Sequence, residues 1–327
     1  MKKWFSFLVI CWLALLLSGC GNFPGQQPET NQTAYEVTDS QGHVLKLAQK
    51  PQKIVPLSIG TDEIVVHLVP LERIAALTYL SDDPGISNVT EQAKLVKTKV
   101  RANPEQIIAL QPDLVLIPDW QPPELAQILR DAQVPVYVYH APDTVAEVKQ
   151  SIMELAKVLR EEAAGQRLIE QMDRELTAIQ KQVDQITPER RKTVLRFSLL
   201  GVSGGKDSLF DDLCQYAAVI NGAAATGLSK NEMLSKEQIV QINPDVLIMP
   251  MWDYTGKTDM NQYREEIYRD PSLQSVKAIR DNRLVMAPDK YQNSSSQYIV
   301  YGVRDIARAA YPELDWPAEV PGAGGNR

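Results

Sequence analysis

Asn-Pro-Glu-Gln-Ile-Ile-Ala-Leu-Gln-Pro-Asp-Leu-Val-Leu-Ile-Pro-Asp-Trp, residues 103–120, returns as Ser-Lys-Glu-Gln-Ile-Val-Gln-Ile-Asn-Pro-Asp-Val-Leu-Ile-Met-Pro-Met-Trp, residues 235–252. The second copy lies 132 positions on and needs no gap, so Glu105 matches Glu237, Asp113 matches Asp245 and Trp120 matches Trp252. Solenoid units repeat every 20 to 50 residues, so a period this long describes two related lobes. In each copy Asn103 or Ser235 is suited to an N-cap, with Gln106 or Gln238 three residues on, where a capping box needs it. The short helix so begun stops at Pro112 or Pro244. The unbroken apolar run after it, Leu114–Ile117 or Val246–Met249, predicts a strand covered on both faces. Trp120 and Trp252 then emerge just past a carboxyl edge, where open α/β sheets bind ligands.

Strand and helix alternate outward from both copies, which argues for parallel α/β lobes. Tyr35 to Leu47 predicts an opening hairpin turning at Asp39–Gly42. Strands follow at Lys53–Leu57 and Ile74–Thr78, with a helix capped by Thr61 between them. Leu125–Asp131 is helical and Val134–Tyr139 a strand. The longest periodic stretch links the lobes: Val145, Val148, Ile152, Leu155 and Leu159 keep helical spacing. The spacing resumes after a break near Gly165, from Leu168 to Ile186. The second lobe opens with a strand at Thr193–Leu200 and a helix at 211–220. Its repeat copy is followed by a loop, Asp253–Tyr263, a helix near Leu273–Arg280, a strand at Arg283–Ala287 and a last helix at Gln297–Tyr311.

The first residues carry an address. Lys2 and Lys3 precede an apolar stretch too short to span a bilayer comfortably, and Leu17-Ser18-Gly19-Cys20 resembles a lipobox. Residues 1–19 are therefore expected to be a lipoprotein signal peptide and Cys20 the lipidated residue. Residues 20–34 read as a flexible tether reaching roughly 20 Å. The remaining divisions are a first lobe at 35–142, a helical segment at 143–190, a second lobe at 191–316 and a loose tail at 317–327. The full chain carries net charge −7, and minus nine without Lys2 and Lys3, so nucleic acid is excluded as a partner class. Of three cysteines only Cys214 would remain unmodified, so the mature chain has no intramolecular disulfide.

These residues resemble the substrate-binding lipoproteins of ABC importers for iron chelates and vitamin B12. The resemblance runs through Val37-Thr38-Asp39-Ser40 with Gly42, Lys53-Ile54-Val55, both repeat copies, and Ala310-Tyr311-Pro312-Glu313. It implies a class III periplasmic-binding-protein fold: two α/β lobes with a cleft between them, bridged by one long helix. It also implies that Glu105 and Glu237 dock onto arginines of a membrane permease. The plainer reading is that each acid only favours a helix dipole, worth about 0.3 to 1 kcal/mol. The cargo would be a metal chelate, namely a ferric siderophore, a corrinoid or haem, with no permanently bound cofactor. Partners would be the permease, its ATPase and, through the lipid, the outer face of the cytoplasmic membrane. The protein itself would act as a monomer.

Tyr79, Trp120, Trp252 and Tyr254 follow strand ends and offer aromatic faces to a flat chelate, with Arg101 placed to pair an anionic one and Tyr291 in a further rim loop. Lobe packing or a solvated surface is the alternative for each. Ser203-Gly-Gly-Lys-Asp-Ser208 looks like the phosphate loop of ATP pyrophosphatases and leaves a distant nucleotide-binding reading. His43, His67 and His140 are not spaced as a metal cluster, and no nucleophile elbow or acid–base pair stands out, so an enzyme and a bound metal are not expected. A surface-held binding or sensing protein without a transporter is the remaining alternative.

Overall fold

A computed structural model describes residues 34–316 of the chain. The expected signal peptide, Cys20, nearly all of the tether and the tail from Pro317 lie outside the described residues. The first lobe holds parallel strands in the spatial order Val136–Tyr139, Leu114–Pro118, Ile54–Pro56. A bridge from Ile54 to Ile74 extends that order to the parallel pair Leu77–Thr78 and Lys99–Val100. In the second lobe Ile220–Asn221, Thr193–Ser198, Val246–Pro250 and Leu284–Ala287 run parallel, and Gly201–Ser203 turns back antiparallel on Thr193–Ser198.

The two repeat copies fold alike. Asn103 accepts a hydrogen bond from the Gln106 amide to start the helix Pro104–Ala109, and Ser235 with Gln238 forms a complete capping box on Lys236–Ile242. Gln111 and Asn243, equivalent positions, both take φ near 50° and turn the chain from helix into strand. Asp113 accepts from the Gln52 and Lys53 amides at 2.6 and 2.7 Å, and Asp245 accepts from the Thr193 amide at 2.8 Å. Each repeated aspartate thus holds the start of the neighbouring strand, a role the sequence does not advertise.

Alternation along the central strands builds three cores. Val115 and Ile117 face an outer core with Ile107, Leu125 and Leu129. Leu247 and Met249 face its counterpart in the second lobe. Leu114, Leu116, Val246 and Ile248 all join one inner core that continues from lobe to lobe through the connecting helices. Continuous apolar packing across the junction, rather than a hinge of loops, sets the spacing of the lobes.

The connection is a helical hairpin, Val145–Leu159 and Glu162–Val183. The break falls at Arg160, which takes φ 57°, and not near Gly165. Glu161 anchors that turn through Arg73 at 2.5 Å and Lys50 at 2.6 Å. Gly165 lies within the second arm, where a Cβ would stand 2.6 Å from the Ala156 methyl, so its small size lets the arms touch. Over 22 residues that arm spans about 33 Å and packs on both lobes.

Other boundaries shift for local reasons. Ser58, not Thr61, caps the helix Ile59–Leu68, with Thr61 donating its amide to the Ser58 hydroxyl. Met260–Arg269 is helical and begins inside the loop expected at Asp253–Tyr263: Asp259 caps it, and Tyr263, Ile267 and Tyr268 pack only partly buried against the outer core.

Candidate functional site

The main-sheet strands of each lobe run parallel save the short return strand of the second, so their carboxyl ends share an edge, and the opening hairpin, Tyr35–Thr38 with Val44–Leu47, is a separate antiparallel pair. In the first lobe the chain leaves that edge at His140, Asp119–Trp120, Leu57–Ser58, Tyr79 and Arg101. In the second it leaves at Leu199–Leu200, Met251–Trp252 and Pro288. Three groups of contacts join the lobes around these ends.

On one side the Trp252 indole donates to Asp83 at 2.8 Å and lies against Gly85, where a Cβ would come 2.2 Å from the ring. Asp289 fixes that loop by accepting from the Met251 and Trp252 amides at 2.7 and 2.8 Å. At the opposite edge of the first sheet Asp143 pairs with Lys230, and Asp212 accepts from the Val145 amide at 2.8 Å. Between these seams lies a buried polar cluster on the helix Ile59–Leu68. Glu63 accepts from the Asn88 amide and side chain, both 2.8 Å, and from Ser294 and Ser296 of the second lobe at 3.2 and 2.5 Å. His67 meets the Tyr298 hydroxyl at 3.3 Å, and Gly60 admits Ser295 where a Cβ would clash at 2.1 Å. Burial pushes the Glu63 carboxyl up to about 7 and lowers the His67 imidazole.

The sequence-derived residues fall into groups. The Arg101 guanidinium stacks 3.6 Å above the Tyr79 ring, and Tyr79 is 44% exposed. Trp252 and Tyr254 sit 6.3 Å apart, with Tyr254 57% exposed. Trp120, 63% exposed, stands beside Asp119, which holds His140 at 2.7 Å and raises its affinity for a proton. Tyr291 is apart from these: its ring meets Tyr301 edge-on at 5.4 Å and borders a groove of about 830 Å³ along the Leu284–Ala287 strand. Glu105 and Glu237 are exposed in the first turns of the equivalent helices, both of which start from the carboxyl edge of their lobe. Hydrogen bonds from its own amide and from Ser235 hold the Glu237 carboxyl below its usual range.

Several contacts were not foreseen. Glu63, Asn88, Asp83, Asp289 and the Ser294–Ser296 run carry the lobe junction, and the faint signal for them is Asp62-Glu63 set inside an apolar helix. Cys214 is a buried free thiol, and burial raises its pKa. The Ser203–Ser208 loop does enter a helix, Leu209–Tyr216, but its backbone is already engaged. Gly205 packs where a Cβ would stand 2.2 Å from Leu228 O, Lys206 donates to Leu228 O at 2.6 Å, and the Asp207 amide points to Asp211 at 3.3 Å. With Asp211 and Asp212 in its first turn, that helix repels phosphate. Among the described residues no three His, Cys, Asp or Glu side chains converge as a metal site.

Comparison with known proteins places this architecture. The chain belongs to the periplasmic binding protein family, whose profile matches residues 54–291. It is 19% identical over 302 residues to the iron-uptake system-binding protein of Bacillus subtilis, covering 87% of this chain and 90% of that protein. The apo structure of the periplasmic heme-binding protein RhuT from Roseiflexus sp. RS-1 superposes with TM-score 0.68 at 24% identity, covering 80% of this chain and 98% of that one. The molybdate-bound MolA of Haemophilus influenzae gives TM-score 0.70 at 18% identity, covering 85% and 92%. The fold is therefore the paired α/β lobes of periplasmic solute-binding proteins, a family that serves ABC transporters outside the cytoplasm. No described helix is long and apolar enough to cross a membrane.

Proposed function

We propose that this protein captures a metal chelate in the cleft between its lobes and delivers it to an ABC permease, with Glu105 and Glu237 as the docking contacts. One observation carries the reading: the repeat copies present matching strand ends to a shared opening and matching exposed glutamates, one per lobe. Two carboxylates so placed can meet a pair of permease arginines, which orients docking more than it tightens it. Tyr79, Arg101, Trp120, Trp252 and Tyr254 supply aromatic and cationic surface to the cargo, and Tyr291 stands further out. Cys20 carries the lipid that tethers a monomer to the outer face of the cytoplasmic membrane, and the partner ATPase drives uptake.

Charge reversal of both glutamates tests the docking role. Uptake by cells carrying the Glu105→Lys, Glu237→Lys protein should cease, while the purified protein keeps its affinity for the chelate that mass spectrometry identifies on the wild type. Loss of affinity with retained docking contradicts the assignment. Fractionation of cells carrying Cys20→Ala tests the anchor, which predicts release of the protein from the membrane fraction.

A further inference from the structure

A carboxyl group is shared between the lobes at their buried junction. Glu63, 1% exposed on the first-lobe helix Ile59–Leu68, accepts from the Asn88 amide and side chain on one oxygen and from Ser294 and Ser296 of the second lobe on the other. The two serines are buried and 2.8 Å apart. Ser295 between them packs on Gly60, and the Gln297 side chain donates to Glu63 O at 3.0 Å. Asn88 adds a further bond across the junction, from its side chain to Lys290 O at 2.8 Å. The run Ser294–Gln297 is therefore seated on the first lobe around one side chain.

Among the described residues no Lys, Arg or His nitrogen lies within 4.0 Å of that carboxyl. The titratable groups packed around it place no cation on it. On its own helix Asp62 is buried and bound to Thr78, and His67 donates from Nδ1 to Glu63 O at 2.8 Å while burial disfavours its protonation. From the second lobe come the Tyr298 hydroxyl, which burial keeps protonated, and Lys290, whose ammonium lies over the Tyr291 ring at 5.2 Å. Lys99 of the first lobe acts on Asp62. An ionised Glu63 thus faces neutral donors, a desolvated charge without a counter-ion. The four donors offset that cost only in part, and burial pushes the carboxyl up to about 7.

We infer that Glu63 is a proton-operated latch between the lobes: neutral, it seats the Ser294–Gln297 run on the first lobe, and ionised, it releases that run to water. The movement is local, because the fused inner core still joins the lobes. In water the Glu63 carboxyl ionises near its ordinary 4.5, and in the seated junction near 7. The released form therefore gains on the seated one as pH rises between those values, and gains no further above them. The latch operates whatever the cargo.

Hydrogen–deuterium exchange of the purified protein from about pH 5 to 8.5, corrected for the intrinsic pH dependence of exchange, tests this. Protection of the Asn88, Ser296 and Tyr298 amides, which bond within the cluster, should fall roughly tenfold or more from about pH 5 to 7 and level off above. Glu63→Gln should hold it level throughout. Asp62→Asn should keep the fall, since Asp62 is bound within the first lobe. The central-strand amides of Val115 and Leu247 should stay better protected at every pH. Four results overturn the inference: wild-type protection indifferent to pH, a fall that survives in a folded Glu63→Gln, a fall that vanishes in Asp62→Asn, and equal protection at the junction and the strands. The wild-type series decides the matter even if the glutamine variant fails to fold.

Discussion

Glu63 shows how a single side chain couples the lobes to proton concentration. Its oxygens meet four donors, two from Asn88 in the first lobe and two from serines in the second, in a fully buried site. Burial moves the carboxyl from 4.5 to about 7. Between those values the folded chain keeps a proton that the unfolded chain has released, so stability falls as pH rises through that window, by roughly 3 kcal/mol for a shift of this size. The Glu63→Gln variant keeps the shape and loses the titration. Urea denaturation from pH 4.5 to 7 should show the variant gaining on the parent as pH rises, whereas a constant difference refutes the assignment. The Glu63 charge also helps raise the neighbouring Asp62, so the difference reports Glu63 together with its coupling to Asp62. None of this was legible in the sequence, where Asp62-Glu63 reads as two polar positions on a helix and the serines 231 and 233 residues away read as a loop.

At the scale of elements the connecting hairpin makes the strongest demand on sequence. Its arms close on Gly165 and Ala156, and a methyl at 165 would sit 2.6 Å from the Ala156 methyl. Gly165→Ala should cost about 1–3 kcal/mol through overpacking despite alanine's better helix propensity, and Ala156→Gly in the same chain should restore part of it. Additive losses in chemical denaturation would place the clash elsewhere. The glycine misled the periodicity reading, because glycine in a helix signals either a break or a close approach and spacing alone does not separate them. Arg160 ended the first arm instead, through a left-handed turn that its neighbour Glu161 secures with Arg73 and Lys50. The repeat strands, by contrast, stand where their unbroken apolar runs put them, because burial on both faces leaves little choice of register.

For the whole molecule, the sequence by itself determined the duplicated half, the alternation of strand and helix, the helical connection, and the strand ends from which Tyr79, Trp120, Trp252 and Tyr254 emerge, while the short strand Lys99–Val100 that leads to Arg101 came only from the structure. These follow from local rules, since caps, prolines and apolar periodicity act within a few residues. Only the tertiary structure decided how the halves meet. The inner core fused across the junction joins the lobes, and the Trp252 indole on Asp83, the Asp143–Lys230 pair and the two serine donors on Glu63 bring together residues from 87 to 233 positions apart. Such contacts depend on where two independently patterned sheets come to rest, and that position is set by the packing of the helices between them, which no local pattern encodes.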